Sequence, residues 1–199
     1  MGPTGPLLGY FTDADFDPER WKPGYPNPAF SRMTERDAAW MARLIARIGE
    51  PHLRALAVEA RLTDPQVVDE LTGVLMARRE RILRRWLLRL SSLTDPVLEP
   101  SPDGSGTRLC VTDRAEEGGL GPAPAPGASA WSGGRRASET PMLRAGPALC
   151  TPVAAAPGSL TTIDLRTGRP GQRPLRVHLA DGARVVGLER PDVEDPQAP

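Results

Sequence analysis

The sequence predicts an α+β protein: an N-terminal three-helix unit with a proline/aromatic strap, then a small antiparallel β-rich tail with a disordered insert. Three observations carry this prediction. Apolar residues recur at helical spacing between residues 34 and 91, and short alternating segments follow residue 107. The third observation is the stretch Trp21–Trp40, WKPGYPNPAFSRMTERDAAW, which combines aromatic rings, prolines and the first helix start.

Residues 1–33 are predicted to form an extended strap, because prolines block helix and remove amide donors throughout it. Large rings lie between the prolines, and a packed aromatic side chain buries about 150–250 Å². We therefore expect the strap to lie across the helices, with structural anchors at Trp21, Tyr25, Phe30, Trp40 and Trp86. The alternating aspartates of the strap do not form a calcium loop, since Pro18 and Gly24 stand where glycine and glutamate are required.

The helical unit is predicted over residues 34–91. Thr34 caps the first helix, whose apolar face is expected to be Met41, Leu44, Ile45 and Ile48. A second helix has Pro51 in its first turn and a stripe of Leu53, Leu56, Ala57 and Ala60. Asp64 and Pro65 begin a third helix that is expected to reach about Leu90. Its predicted buried side comprises Val67, Leu71, Val74, Leu75, Ile82, Trp86, Leu87 and Leu90.

The far side of the third helix is rich in arginine, from Arg78 to Arg89. Such a cluster can bind the phosphates of a nucleic acid or nucleotide, and the candidate anion-binding residues are Arg78, Arg81, Arg84 and Arg85. The favoured alternative is a solvated face whose arginines pair with upstream acids, because no aromatic is interleaved and the formal net charge is zero.

Beyond residue 91 the pattern changes. A linker is predicted over 92–106, a short strand over 107–113 and a disordered low-complexity insert over 114–141. A β-hairpin tail is predicted over 142–190, with its turn at Asp181-Gly182, and a frayed C-terminus over 191–199. Leu175, Val177 and Leu179 are expected to face inward, while Arg176 and His178 face solvent.

Composition and motifs restrict the function further. Cys110 and Cys150 are predicted to be two unpaired, half-buried thiols, and the spacing of cysteines and histidines predicts no metal site and no cofactor. No phosphate loop, nucleophile elbow or HExxH motif is present, so an enzyme is not expected, although an unrecognised site stays an alternative. Neither a signal peptide nor a membrane-spanning apolar stretch is predicted, which makes a cytoplasmic location the default.

Two stretches carry a family resemblance, FDPERWKPGYPNPAFSRMTERDAAWMARLIAR and LTDPQVVDELTGVLMARRERILRRWL. They resemble the C-terminal region of large uncharacterised bacterial proteins with a W-x-P-x-Y-P-N-P-A-F strap and an R-D-A-x-W helix. The match covers roughly residues 9–98, and the part upstream of this region in such proteins resembles a kinase-like fold. The resemblance transfers no catalytic residue, because the segments that could serve phosphoryl transfer are not present in this sequence.

The resemblance implies a non-catalytic C-terminal accessory module that packs against a larger, kinase-like domain in the same or another chain. Because the chain starts at the strap and contains the 114–141 insert, a truncated reading frame is a further expectation. The alternatives are a nucleic-acid or phosphate-ligand binder using the arginine face, and an enzyme with an unrecognised site.

Overall fold

The computed structural model describes residues 8–62, 64–104, 106–132, 135–154 and 158–191. It contains helices and antiparallel sheets, so the α+β class is confirmed. The chain divides into two compact units, Met1–Leu87 with Glu117–Leu120 and Leu88–Glu116 with Gly121–Pro199. Among the described residues, no helix is both long enough and apolar enough to cross a membrane.

The first unit contains the predicted helices at the expected starts. They are α2 (Glu35–Ile45), α3 (Glu50–Glu59) and α4 (Pro65–Ile82), preceded by a short helix α1 (Pro28–Ser31). The short helix was not predicted within the strap. It forms because the Asn27 side chain accepts a hydrogen bond from the N–H of Ala29, and Pro28 already has a helical φ at the first position.

Side chains at the helix starts explain where α2 and α4 begin. The Thr34 hydroxyl accepts from the N–H of Asp37, and the Asp37 carboxylate accepts from the N–H and hydroxyl of Thr34, which completes a capping box. The Asp64 carboxylate accepts from the N–H of Gln66, one residue after Pro65. Both local predictions of helix starts are confirmed.

The third predicted helix is not one continuous α-helix to Leu90. It ends as α-helix at Ile82 and continues as a π-helical turn, Leu83–Leu87. The wider turn changes which side chains face inward. Of the predicted buried side, Leu87 and Leu90 are buried and the other members are half-buried, whereas Thr72, Arg79 and Leu83 are buried instead.

In its described residues the second unit contains ten strands and most of a four-residue helix, α5 (Arg114–Glu117). The strands are β1 (Leu93–Pro100), β2 (Thr107–Asp113), β3 (Gly127–Ser132), β4 (Arg135–Arg136), β5 (Thr140–Pro141), β6 (Leu143–Ala145), β7 (Ala148–Val153), β8 (Leu160–Arg166), β9 (Leu175–Ala180) and β10 (Arg184–Glu189). One antiparallel sheet has the order β1-β2-β7-β6, and the other has the order β10-β9-β8-β3-β4 with β5 paired to β3.

One hydrophobic core unites the two sheets of the second unit. Its members include Leu109 and Leu149 from the first sheet, and Leu165 and Val177 from the second. Side chains that alternate along each strand supply one face to this core, as in a β-sandwich. The hairpin turn joining β9 to β10 has Asp181 at φ 56° and Gly182 at φ 61°, which confirms the predicted Asp-Gly turn.

The predictions of a linker over residues 92–106 and of a disordered insert over residues 114–141 are both wrong. Residues 93–100 form β1, which accommodates Pro96 because β1 is an edge strand with an irregular register between Thr94 and Val97. Part of the 114–141 segment forms β3, which pairs with β8 across five residues. Its small side chains gave a low-complexity pattern, but they fit an interior strand. The tail is therefore more than one hairpin, and most of the predicted frayed terminus lies outside the described residues.

The prediction of unpaired thiols is also wrong. Cys110 on β2 lies directly opposite Cys150 on β7, and the two sulfur atoms form a disulfide. Residues 110 and 150 are 40 positions apart in the chain. Sequence spacing alone could not show this pairing, since it depends on the register of two strands that are far apart in sequence.

We expect Gly168→Ala to destabilise the second unit. Gly168 has φ +77°, and a Cβ at this position would lie 2.5 Å from the carbonyl oxygen of Ala125. Left-handed strain and backbone overlap together are expected to cost about 3 kcal/mol. Gly171 has a similar φ of +69° with no atom near its Cβ position, so Gly171→Ala should cost only about 1 kcal/mol. Equal losses for the two variants in chemical denaturation would contradict the close approach.

Thr34→Ala is expected to cost about 1 kcal/mol at pH 7, because α2 loses its N-cap hydroxyl. The N–H of Thr34, and then its hydroxyl, lower the pKa of Asp37. A carboxylate with a lowered pKa stabilises the fold above its unfolded pKa of about 4, and this stabilisation is lost as the pH falls through the folded pKa. The loss in the variant should therefore be smaller at pH 3. Thr34→Ser keeps the hydroxyl and should match the wild type in thermal unfolding at both pH values.

Candidate docking surface

Helix α2 has two apolar faces, and the smaller side chains are the buried ones. The inner face is formed by Ala38, Ala39, Ala42 and Ala46, each at most 4% exposed. Trp40, Met41 and Leu44 form the outer face and are 56%, 46% and 40% exposed, and Ile48, three residues beyond the helix end, is 39% exposed. We call these four residues the outer row. At 100° per residue, positions 38 and 42 lie nearly opposite positions 40 and 44.

The predicted buried stripe of α2 is therefore wrong. Met41 and Leu44 lie on the exposed side, Ile48 is exposed beyond the helix end, and Ile45 is half-buried. The inner alanines pack against the π-helical turn, where small side chains allow close approach of the two backbones. Apolar spacing identified a real face of the helix, but it did not show which of two apolar faces the chain itself covers.

Helix α3 also leaves apolar side chains in solvent. Ala57 is buried and Leu53 is half-buried, but Leu56 is 65% exposed and Ala60 is also exposed. Only part of the predicted stripe is therefore confirmed. Most of the exposed large apolar side chains in the described part of the chain belong to the first unit. The first unit thus covers its large apolar groups poorly.

The orientation of α2 is fixed by Arg79, which the sequence placed on the exposed arginine face. Its guanidinium is buried and donates to three carbonyl oxygens: Ala46 at 2.8 Å, Ile45 at 3.3 Å and Gly118 at 2.8 Å. The carbonyls of Ile45 and Ala46 lie at the C-terminal end of α2, so no N–H group within the helix bonds to them. Burial lowers the pKa of Arg79, and the nearby carboxylates of Glu117 and Glu80 oppose that change.

Three other arginines of the third helix contact the strap. Arg78 lies between two rings, with its guanidinium carbon 4.0 Å from the centroid of Phe11 and 4.9 Å from that of Phe16. It also donates through Nε to the carbonyl of Thr12 at 2.8 Å. Such stacking combines a cation–π attraction with burial of the ring faces. Arg78 therefore connects α4 to residues 11–16 of the strap.

Arg81 contacts the strap one helical turn further on. Its Nη1 donates to the carbonyls of Phe16 at 2.9 Å and Ala14 at 3.2 Å, and its Nη2 lies 3.6 Å from the Asp13 carboxylate. Several donors of this guanidinium are thus directed at the strap backbone. The interaction shapes the strap more than it neutralises charge, because two of the three acceptors are peptide carbonyls.

Arg85 joins the strap to the start of α2. It donates to both carboxylate oxygens of Glu35, at 2.9 Å and 3.3 Å, and it also contacts the Glu19 carboxylate. Its guanidinium carbon lies 3.9 Å from the ring centroid of Trp86. The hydrogen bonds to Glu35, followed by those to Glu19, raise the pKa of Arg85. Arg84 pairs with Glu80, four residues earlier, and both side chains are exposed.

The four candidate anion-binding residues thus all have protein partners. Three of them contact the strap or its acids, which is the alternative that the sequence favoured. Anion binding by Arg78, Arg81, Arg84 and Arg85 stays a prediction, and it would have to compete with these contacts.

The predicted structural anchors are not buried as expected. Trp21 packs edge-on against Phe30, with ring centroids 5.1 Å apart, yet both rings are 47% exposed. Tyr25 is 87% exposed, Trp40 is in the outer row, and Trp86 is half-buried under Arg85. The strap turns and pairs with arginines, but its rings do not enter a core within the described chain.

A cleft of about 430 Å³ lies beside the strap. Rings of Tyr10, Phe16 and Trp21 line it together with the carboxylates of Asp15 and Asp17 and the cations of Arg20 and Arg78, and Thr12 completes the lining. Its volume is within the range of small-molecule sites. Its charges cancel, however, so neither a cationic nor an anionic ligand is selected.

The second unit contains a buried polar cluster that the sequence placed in solvent. Asp164 accepts from Arg176 Nε at 2.8 Å and from the indole Nε1 of Trp131 at 3.0 Å, and all three side chains are at most 6% exposed. His178 is half-buried, 3.0 Å from Thr162 Oγ1 and 3.4 Å from Glu189. The expected solvent exposure of Arg176 is wrong, because the Trp131 ring lies over its guanidinium.

His178 contacts both Thr162 and Glu189, so the three residue types match a catalytic triad of nucleophile, base and orienting acid. The three side chains lie on adjacent strands of one sheet, with Thr162 directly opposite His178. Cross-strand neighbours make such contacts as ordinary sheet pairs, so the arrangement needs no catalytic explanation.

One group in the described residues has the composition of a metal site, namely Glu99, Cys110 and Cys150. Its two sulfur atoms are bonded to each other, so they do not offer the two thiolates that a metal such as zinc requires.

No protein-family model, no curated protein and no solved structure matches the chain.

The role of Arg79, like those of Arg176 and of the two cysteines, was not predicted from the sequence. A usable signal was present, because Arg79 stands at helical spacing between the apolar residues Met76 and Leu83. A charged residue on a buried row indicates a paired guanidinium rather than a solvated one.

We expect Arg79→Met to destabilise the chain by about 3 kcal/mol. The variant keeps the volume of the side-chain stem but leaves three carbonyl oxygens without their charged donor. Arg84→Met removes only an exposed ion pair and should cost less than about 1 kcal/mol. Urea denaturation of both variants tests this difference, and similar stabilities would show that Arg79 does not fix α2.

Proposed function

We propose that the chain is a non-catalytic accessory module whose helical unit docks onto a larger, kinase-like domain in the same or another chain. The observation that carries this proposal is the outer row of α2. Trp40, Met41 and Leu44 present one helix face to solvent, Ile48 is exposed just beyond the helix end, and alanines fill the inner face.

The outer row has the character of a protein interface. Aromatic residues, methionine and arginine are enriched in interface cores, and full burial of one large apolar side chain contributes about 1.5–3 kcal/mol. Arg36 and Arg47 are also exposed, Arg36 one helical turn before Trp40 and Arg47 just beyond the end of α2. The complementary partner surface is an apolar groove with acidic residues on one rim.

The strap adds further exposed aromatic side chains next to the outer row. The exposed rings of Trp21, Tyr25 and Phe30 precede α2 directly, and arginine contacts keep residues 11–19 against the third helix. Ordering a segment before binding reduces the entropy lost in the complex. The resemblance to the strap-bearing C-terminal region of large bacterial proteins supports a partner that is the upstream, kinase-like region of such a protein.

The test replaces two members of the outer row with charges, in Met41→Glu/Leu44→Glu. We expect an unchanged circular dichroism spectrum and melting temperature, because both side chains are about half exposed. Affinity for the purified kinase-like region, measured by isothermal titration calorimetry, should fall by about 100-fold or more because two charges would be buried unpaired.

The matched control is Leu143→Glu/Leu160→Glu, which places the same charges at positions 70% and 69% exposed in the second unit. It should bind like the wild type. The proposal fails if both double variants bind equally well, or if the wild type does not bind the kinase-like region at all.

A further inference from the structure

The surroundings of the Cys110–Cys150 disulfide are typical of a structural bond and not of a reactive one. Cys110 and Cys150 are the two cysteines of the chain, and their side chains are 4% and 3% exposed. They lie on the face of the first sheet opposite the core, since the neighbouring Leu109, Val111 and Leu149 are core members. An attacking thiolate would have to reach sulfur atoms that solvent barely contacts.

A charged pair lies beside the sulfur atoms. A carboxylate oxygen of Glu99 is within 4.8 Å of both sulfur atoms, and Arg108 Nη2 lies 3.2 Å from that carboxylate. Glu99 and Arg108 are directly opposite each other on β1 and β2, two cross-strand rows from Cys110. The negative charge of Glu99 disfavours both an incoming thiolate and the thiolate that reduction would release.

The disulfide also cross-links the two ends of a long loop in the second unit. It joins β2 to β7, the two central strands of the first sheet, across 40 residues that include α5 and β3. Cross-linking a segment of this length restricts the unfolded chain substantially. Burial, the adjacent carboxylate and the closed segment together favour a bond made once during folding.

We propose that Cys110–Cys150 is a permanent structural disulfide shielded by Glu99, and that the chain therefore matures in an oxidising compartment. In its formation each thiol loses one proton and one electron, and the sulfur atoms bond to each other. An oxidant of the disulfide class accepts the two electrons and is reduced to two thiols. Such bonds are rare where cellular thiols keep proteins reduced, so this location replaces the cytoplasmic default. The inference is independent of the proposed docking function.

The location is tested in cells of the source organism by blocking thiols with N-ethylmaleimide before lysis. Mass spectrometry of the denatured full chain should show no adduct, and two adducts only after reduction. Two adducts without reduction would overturn the proposed compartment.

The structural role is tested on the purified full chain by thermal unfolding with and without dithiothreitol. Reduction should lower the melting temperature by on the order of 10 °C. Cys110→Ala/Cys150→Ala should melt at the temperature of the reduced wild type and not respond to dithiothreitol. An unchanged melting temperature of the wild type on reduction would overturn the structural role, whether or not the double variant folds.

The shielding is tested with Glu99→Gln, which removes the carboxylate and leaves the Arg108 cation near the sulfur atoms. Reduction by dithiothreitol should become about fivefold faster. Glu116→Gln removes a carboxylate that pairs with Arg144, away from the sulfur atoms, and should leave the rate unchanged. Equal rates for Glu99→Gln and the wild type would overturn the role of Glu99.

Discussion

The buried guanidinium of Arg79 is the interaction on which the helical unit depends. It donates to the last carbonyls of α2 and to Gly118, and thereby joins α4, the end of α2 and residues 117–120. A buried arginine requires acceptors for its donors, and helix C-termini supply unsatisfied carbonyls. Because this contact and the inner alanines fix one side of α2 against the unit, the opposite side with the outer row must face solvent.

The two units achieve order in different ways. The second unit has a core of leucines, valines and isoleucine between two sheets, and a disulfide on the outer side of one sheet. The first unit buries mainly alanines with Leu83 and Leu87, and relies on arginine contacts to order its strap. A unit with so few large buried side chains gains less from the hydrophobic effect, and its exposed row offers the area that a partner would cover.

Local signals were read correctly from the sequence, whereas contacts between distant residues were not. Thr34, Asp64 and Asp181-Gly182 predicted helix starts and a turn, because each acts within a few residues. The strand at 127–132, the Cys110–Cys150 bond and the buried Arg176 depend on sheet register, which no local pattern encodes. For α2, periodicity predicted one apolar face, and only the packing of the alanines showed that the opposite face is the covered one.

The most direct test of docking is to measure whether Trp40, the largest member of the outer row, becomes buried in the complex. The full chain labelled with 5-fluorotryptophan gives one ¹⁹F resonance for each of its four tryptophans, and Trp40→Phe assigns the relevant one. On addition of the kinase-like region, the Trp40 resonance should shift and lose its sensitivity to exchange of H₂O for D₂O. The buried Trp131 should not change. A complex in which the Trp40 resonance stays unshifted and solvent-sensitive would contradict the account.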